Sequence, residues 1–155
     1  MPNQVNPIPP GFHSVTPALI IRGAAGAIEF YKKAFGAKEN GRMAGPDGKI
    51  MHADLQIGDS HIMMCDEFPQ CARSPQTLGG TSVGLYVYVN DVDATFKQAV
   101  AAGAKVIQPV VDQFWGDRWC SLEDPYGHGW QIATHKENVP PDEMRTRAAK
   151  MFAKA

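Results

Sequence analysis

The chain has 155 residues, of which 44% are hydrophobic and 20% are charged, and its formal net charge at pH 7 is −1. This composition is normal for a globular protein that folds around one sizeable core. The balanced charge excludes the basic surface that binding to nucleic acid or to an anionic membrane requires.

The chain begins with a proline-rich arm, residues 1–12, for which the sequence predicts an extended segment. Residues 13–67 form the first predicted module. Its helix runs from Gly23 to Phe35, with apolar residues at spacings of three and four, and ends at Gly36. Its strands are predicted over residues 13–21, 38–43, 49–57 and 61–65.

Residues 68–81 predict an irregular linker, because prolines and glycines interrupt any regular pattern there. Residues 82–137 form the second module, with a helix that is capped by Asp91 and ends before Gly103. Its strands are predicted over residues 83–89, 105–111, 118–122 and 128–135. Residues 138–155 predict a C-terminal helix that docks on this subunit or on a neighbour through an apolar side formed by Met144, Ala148, Met151 and Phe152.

The two modules share a repeated segment. AIEFYKKAFGAK at residues 27–38 and ATFKQAVAAGAK at residues 94–105 are the same helix ending, sixty-seven positions apart. A unit that cannot close a core alone usually pairs with its copy. We therefore expect an internal duplication with a cleft shared by the two copies.

The three cysteines, Cys65, Cys71 and Cys120, are odd in number and lack CxxC spacing. They favour neither a disulfide framework nor a four-ligand zinc site, and they fit a reducing cytoplasm. The sequence contains no apolar run of roughly 20 residues, the length of a membrane span, and the polar start of the chain is unlike a secretory signal. We expect a cytoplasmic protein that does not enter a membrane.

Four segments of the chain resemble one protein family: HSVTPALIIRGAAGAIEFYKKAFGA, KIMHADLQIGDSHIMM, SPQTLGG and DPYGHGWQIATHKE. They are similar to the PhnB-like branch of the vicinal oxygen chelate superfamily, which includes glyoxalases, extradiol dioxygenases and bleomycin-resistance proteins. The resemblance covers about residues 12–152. It implies an α+β fold in which two tandem βαβββ modules form a curved eight-stranded mixed sheet around a cleft, followed by a C-terminal helix.

The resemblance also implies where a metal would bind. Metal-dependent members carry His, Glu or Gln at four inward positions, which fall here on Thr16, Met63, Val83 or Gly84, and Gln131. Only Gln131 is a plausible ligand, whereas a catalytic ion takes about three His or carboxylate donors. The sequence therefore predicts no cofactor at the usual place and leaves open a divalent metal at a displaced site.

Several polar residues are candidates for chemistry. His52, Asp54 and Gln56 share one strand face, where His52 with Asp54 would hold a metal or form an acid–base pair, or where the trio is a solvated sheet face. Glu123 precedes the DPYG turn and is either a general base or a carboxylate that stabilises the turn. His61 either lines the cleft or lies at its solvent edge.

Aromatic residues are candidates for ligand binding. Tyr86 and Tyr88 alternate with aliphatic residues on a strand, so their rings line the cleft or fill the space between the copies. Trp115 and Trp119 flank a loop-like stretch at the rim, where they would stack on a planar ligand and Arg118 would pair with an anion, or where they serve packing.

Two functions of different class follow. The first is a homodimeric protein that binds an apolar or aromatic small molecule through Thr16, Met63, Gln131 and the four aromatic residues above, since thioethers and rings adapt to varied ligands. The second is a metal-dependent lyase or isomerase that uses His52, Asp54, Glu123 or Gln131. A protein-binding scaffold is a third interpretation, and it predicts a cleft filled by side chains.

Overall fold

A computed structural model describes residues 5–153 of the chain, and this range contains eight strands and four helices. The strands are β1 (Ala18–Ile21), β2 (Lys38–Ala44), β3 (Ile50–Ile57), β4 (Ser60–Asp66), β5 (Gly84–Tyr88), β6 (Lys105–Asp112), β7 (Asp117–Glu123) and β8 (Gly129–His135). The helices are α1 (Ala24–Phe35), α2 (Pro75–Leu78), α3 (Val92–Ala102) and α4 (Pro141–Phe152).

The described residues divide into two compact units. Unit 1 holds residues 5–81 and Pro125–Gly127, and unit 2 holds Ser82–Asp124 and residues 128–153. Unit 1 contains a sheet in the order β1-β4-β3-β2, and unit 2 contains a sheet in the order β5-β8-β7-β6. In each sheet the first pair is parallel and the other two pairs are antiparallel. The predicted βαβββ order of both modules is confirmed, and the eight strands are hydrogen-bonded as two mixed sheets of four.

Side chains of alternating positions form the core of each unit. In unit 1 the buried face of β3 carries Ala53, Leu55 and Ile57, and α1 buries its predicted apolar side, including Ile28 and Tyr31. In unit 2 the buried positions include Cys120, Leu122, Trp130 and Ile132 on β7 and β8. Because neighbours on a strand point to opposite faces, the residues between these positions form the other face of each sheet.

The predicted helix ends are confirmed. The side chain of Asp91 accepts a hydrogen bond of 3.0 Å from the backbone N–H of Ala94 at the start of α3. Gly36 and Gly103 end α1 and α3 with φ values of 64° and 116°, a conformation that glycine adopts without steric cost.

A carboxylate from a distant strand fixes the start of α1. Gly23, the residue before the helix, has no side chain to cap it. Instead, Oδ1 of Asp66 accepts hydrogen bonds from the backbone N–H groups of Gly23 and Ala24, both at 2.9 Å. Oδ2 of the same residue accepts one from the N–H of Ile50 at 2.7 Å. Asp66 is therefore a buried junction between α1, β3 and the end of β4.

Two structural predictions for unit 1 were wrong. The first strand begins at Ala18 rather than at residue 13, so Thr16 lies before the strand. Pro17 has no N–H to donate, and only its carbonyl joins the sheet, by accepting from the N–H of Met63 at 2.9 Å. The linker is also not wholly irregular, because Ser74 caps the short helix α2. Four residues are too few to show helical periodicity in a sequence.

The terminal helix α4 forms as predicted, and none of its residues is fully buried. Met151 and Phe152, on its predicted apolar side, are exposed. Within residues 5–153, no helix has the length and apolar character needed to cross a membrane.

Candidate functional site

Four aromatic side chains, Tyr86, Tyr88, Trp115 and Trp119, gather in unit 2, and we call them the aromatic cluster. Cross-strand pairing places Tyr88 of β5, Ala133 of β8 and Trp119 of β7 in one row, on the face opposite Cys120 and Leu122. The two tyrosine rings lie 5.2 Å apart, and the rings of Trp115 and Trp119 meet edge to face at 6.3 Å. All four were predicted from the sequence to bind a ligand, and the structure brings them together.

One buried carboxylate holds three members of the aromatic cluster. Asp117, only 3% exposed, accepts hydrogen bonds at Oδ2 from the hydroxyl of Tyr86 at 3.0 Å, the hydroxyl of Tyr88 at 3.1 Å and Nε1 of Trp115 at 3.0 Å. Its Oδ1 lies 2.7 Å from Nδ1 of His135, the residue paired with it on β8. Asp117 therefore anchors the polar ends of three aromatic side chains at one carboxylate oxygen.

Asp117 and His135 each stabilise the charged form of the other. Burial acts to raise the pKa of Asp117, but the hydrogen bonds from His135, Tyr86, Trp115 and Tyr88 outweigh it and leave the pKa below its usual value. Hydrogen bonds to Asn138 and Asp117 raise the pKa of His135, whose two ring nitrogens both face oxygen atoms. This arrangement favours an imidazolium beside a carboxylate.

Trp119 differs from the other members of the aromatic cluster. Its ring is 9% exposed, and its Nε1 is buried without any hydrogen-bond partner among the residues that the structure describes. Buried donors in native proteins almost always have a partner, and one without a partner costs about 1–3 kcal/mol. This N–H is therefore available to an acceptor that the described chain does not provide.

Two further predicted residues lie on the same face of this sheet. Gln131 pairs with Tyr86 and with Ser121, and its amide lies over Gly84, where an added Cβ would come within 3.3 Å of Nε2. Glu123 ends β7 and is paired with Gly129, six residues along the strand from Asp117. Gln131 thus borders the aromatic cluster, whereas Glu123 lies at the opposite end of the face.

Unit 1 carries a second polar group on the face opposite its buried core. Nδ1 of His61 lies 2.9 Å from Oδ1 and 3.1 Å from Oδ2 of Asp54, and Nδ2 of Asn40 donates to Oδ2 at 3.1 Å. His52 is exposed and, in the part of the chain that the structure describes, makes no hydrogen bond to Asp54. The histidine bonded to Asp54 is therefore His61 and not the predicted His52.

The positions that the resemblance assigns to metal ligands do not suit an ion. Met63 offers a thioether, Val83 has an aliphatic side chain and Gly84 has none, and Thr16 lies outside β1, which leaves the amide of Gln131. His and carboxylate donors, which catalytic ions use, are absent from all four positions. Over residues 5–153, no group of three His, Cys, Asp or Glu side chains is placed to hold a metal.

Comparison with known proteins identifies the family. A model of the Glyoxalase/Bleomycin resistance protein/Dioxygenase superfamily matches residues 12–132. The chain belongs to this superfamily. The uncharacterised protein Mb0911c of Mycobacterium bovis is 43% identical over 136 residues, which cover 85% of this chain and 90% of that protein.

Solved structures share the fold. The crystal structure of TioX from Micromonospora sp. ML1 superposes with a TM-score of 0.62 at 28% identity, covering 79% of this chain and 98% of TioX. The PhnB protein from Bacillus cereus superposes with a TM-score of 0.61 at 20% identity, covering 79% of this chain and 99% of that protein. The superfamily and the PhnB-like resemblance seen in the sequence are confirmed at the level of fold.

Two residues of the candidate site, Asp117 and His135, were not predicted from the sequence. The stretch from Trp115 to Trp119 was interpreted as a loop, but Asp117 opens β7, and Arg118 is occupied by Asp93 and Asp112 rather than free for an anion. The sequence did offer a signal, because Asp117 lies two positions from Trp119 in a strand-like pattern. Asp is depleted in strands, so one in such a pattern indicates a hydrogen-bonding partner.

Proposed function

We propose that this member of the superfamily binds a small aromatic molecule that carries a hydrogen-bond acceptor, and that the aromatic cluster of unit 2 is the binding site. The observation that carries the proposal is the buried Nε1 of Trp119, which has no partner among the described residues. A ligand acceptor would remove the cost of that unpaired donor.

The surroundings of Trp119 support an aromatic ligand. Tyr86 and Tyr88 are 41% and 62% exposed, so their rings present apolar surface that a ligand would cover. Because Nε1 of Trp119 is itself covered, the ligand enters by displacing neighbouring rings. Asp117 anchors Tyr86 and Tyr88 by their hydroxyls alone, which lets the rings tilt without losing that bond.

The proposal includes binding without a metal at the positions that metal-dependent members use. Its support is the donor chemistry of Met63, Gly84 and Gln131. The alternative, a metal-dependent lyase or isomerase around His52 and Asp54, stays a prediction, and no observed contact favours it, because Asp54 is engaged by His61 and Asn40.

We further propose that the protein is a homodimer in a reducing cytoplasm. The free thiols of Cys65, Cys71 and Cys120 support the compartment, and the exposed apolar residues Met151 and Phe152 of α4 support self-association. We expect sedimentation equilibrium to give twice the mass of one chain, and the mass of a single chain would contradict the dimer.

Replacing Trp119 by phenylalanine tests the binding proposal. We expect the wild-type protein to bind 2-acetylnaphthalene more tightly than 2-ethylnaphthalene, because only the ketone accepts from Nε1. In the variant, the ratio of the affinities for the ketone and the hydrocarbon should be about tenfold smaller, since an unpaired donor costs about 1–3 kcal/mol. The smaller ring affects both compounds, so the ratio of their dissociation constants, measured by calorimetry, isolates the N–H.

Three outcomes would contradict the proposal. They are an unchanged ratio in Trp119→Phe, no saturable binding of either naphthalene to the wild-type protein, and a stoichiometric divalent metal in protein purified without added metal.

A further inference from the structure

The hydrogen bonds around His61 leave one ring nitrogen free for a ligand. A carboxylate only accepts hydrogen bonds, so the nitrogen that faces Asp54, Nδ1, carries the proton in the neutral imidazole. Nε2 is then the nitrogen with the lone pair. The described residues provide no hydrogen bond to Nε2, so it can accept one from another molecule.

The N-terminal arm covers this imidazole. The ring of Phe12 stacks on the ring of His61, with centroids 4.0 Å apart and an interplanar angle of 25°. The backbone of Gly11 lies beside Nε2, because a Cβ added to Gly11 would come within 3.3 Å of that atom. The arm therefore occupies both the face and the free edge of the ring.

A tight turn presents Phe12 to His61. The N–H of Phe12 donates to the carbonyl of Pro9 at 3.1 Å, and the two residues between them are Pro10 and Gly11. Proline at the second position and glycine with a φ of 83° at the third match a type II turn. The turn is formed within the arm itself, so it can move away from His61 as one piece.

The residues on either side of Phe12 bury little surface. Residues 5–11 and 13–15 are all exposed, and Phe12 is the half-buried residue between them. Asp54 and His61, in contrast, are mostly buried, with 17% and 12% of their side chains exposed. One ring therefore attaches an exposed segment to a polar pair that is otherwise shielded.

We propose that His61, Asp54 and Asn40 form a second small-molecule site, which the arm closes by inserting Phe12. The ligand is a planar aromatic compound with a hydroxyl or N–H donor one or two bonds from the ring. Its ring takes the place of Phe12, and its donor takes the place of Gly11 and bonds Nε2. The arm thus competes with the ligand. The apparent affinity is the affinity of the open form multiplied by the fraction of molecules in which Phe12 has left His61.

Replacing Phe12 by alanine tests this proposal with 2-naphthalenemethanol as the probe. We expect the variant to bind the probe about tenfold more tightly than the wild-type protein, because the competing ring is gone. The NMR signal of the Met63 methyl group reports binding, since Met63 follows His61 by two residues on the same face of β4.

Three variants serve as controls. Phe12→Tyr keeps a stacking ring and should keep the wild-type affinity. Val15→Ala changes a residue that follows the arm and is 84% exposed, and it should have no effect. His61→Phe, combined with Phe12→Ala, keeps an aromatic face without Nε2, so it should bind 2-naphthalenemethanol no better than 2-methylnaphthalene.

A measurement on the wild-type protein does not depend on how the variants fold. Nuclear Overhauser effects between the rings of Phe12 and His61 should disappear as the probe saturates the site. Persistence of these signals at saturation, or an affinity in Phe12→Ala equal to or below that of the wild type, would overturn the proposal.

Discussion

Replacing Asp66 by alanine is expected to lower the free energy of unfolding by about 3–5 kcal/mol. The substitution removes the acceptor of three backbone N–H groups, those of Gly23, Ala24 and Ile50. An unpaired buried donor costs about 1–3 kcal/mol, and backbone donors cannot be turned toward other partners. Urea unfolding followed by far-UV circular dichroism measures the loss.

Asparagine at position 66 gives a second test. It replaces one acceptor oxygen by an NH2 donor, and the backbone N–H groups that face it cannot act as acceptors. The amide of asparagine has only one acceptor oxygen. This oxygen can accept from the N–H of Ile50 or from those of Gly23 and Ala24, and the NH2 group then faces the remaining N–H donors. Asp66→Asn should therefore lose about 2–3 kcal/mol. Asp59→Asn, which alters an exposed carboxylate bonded to Ser60, should stay within about 0.5 kcal/mol.

If Asp66→Asn were as stable as the wild type, the carboxylate would not be the junction that the hydrogen bonds indicate. Hydrogen exchange of the Ile50 and Ala24 amides provides the local measurement. Both amides should exchange faster in Asp66→Ala than in Asp59→Asn.

Replacing Asp117 by alanine is expected to cost about 3 kcal/mol in unit 2. Four donors lose their acceptor. The tyrosine hydroxyls and Nδ1 of His135, whose side chain is 50% exposed, can bond water, so the loss comes mainly from Nε1 of Trp115. Tryptophan fluorescence during urea unfolding reports this unit, because Trp115, Trp119 and Trp130 all lie in it. Asp112→Asn, which changes an exposed carboxylate next to Arg118, is the control and should have little effect.

Asparagine should be tolerated better at position 117 than at position 66. Its oxygen can accept from Trp115 and the tyrosines, while its NH2 group faces Nδ1 of His135, which accepts once the imidazole loses that proton. We expect Asp117→Asn to cost about 1 kcal/mol at neutral pH. A loss as large as that of alanine would show that His135 cannot change its protonation state.

The cost of Asp117→Asn should also depend on pH. Hydrogen bonds to Asn138 and to Asp117 raise the pKa of His135 in the folded protein. Such a group stabilises the fold fully below its unfolded pKa, near 6.5, and loses that contribution as the pH rises through the folded value. The variant should therefore lose more stability at about pH 5.5 than at about pH 8.5, and an equal loss at both values would contradict the ion pair.

The contrast between the two carboxylates has a consequence for binding. Asp66 holds only backbone, so its removal should leave the ratio of the two naphthalene affinities unchanged wherever unit 2 remains folded. Asp117 holds Tyr86, Tyr88 and Trp115, so its removal should weaken binding at the aromatic cluster by releasing rings that are held in place.

The sequence alone determined the order of elements, both module helices and the superfamily. Periodicity and capping are local properties, and the duplicated helices end at Phe35 and Ala102, sixty-seven positions apart as the repeat predicts. The aromatic members of the site were also visible in the sequence, because Tyr86 and Tyr88 alternate along one strand and Trp115 and Trp119 lie near another.

Only the tertiary structure decided which polar groups meet. The register of β3 and β4, and the bulge between Glu39 and Gly41 from which Asn40 reaches Asp54, select His61 as the partner of Asp54. Docking of the arm, which local patterns do not encode, places Phe12 on His61. Such contacts join residues far apart in the chain, so they follow from strand register and packing rather than from the sequence around each residue.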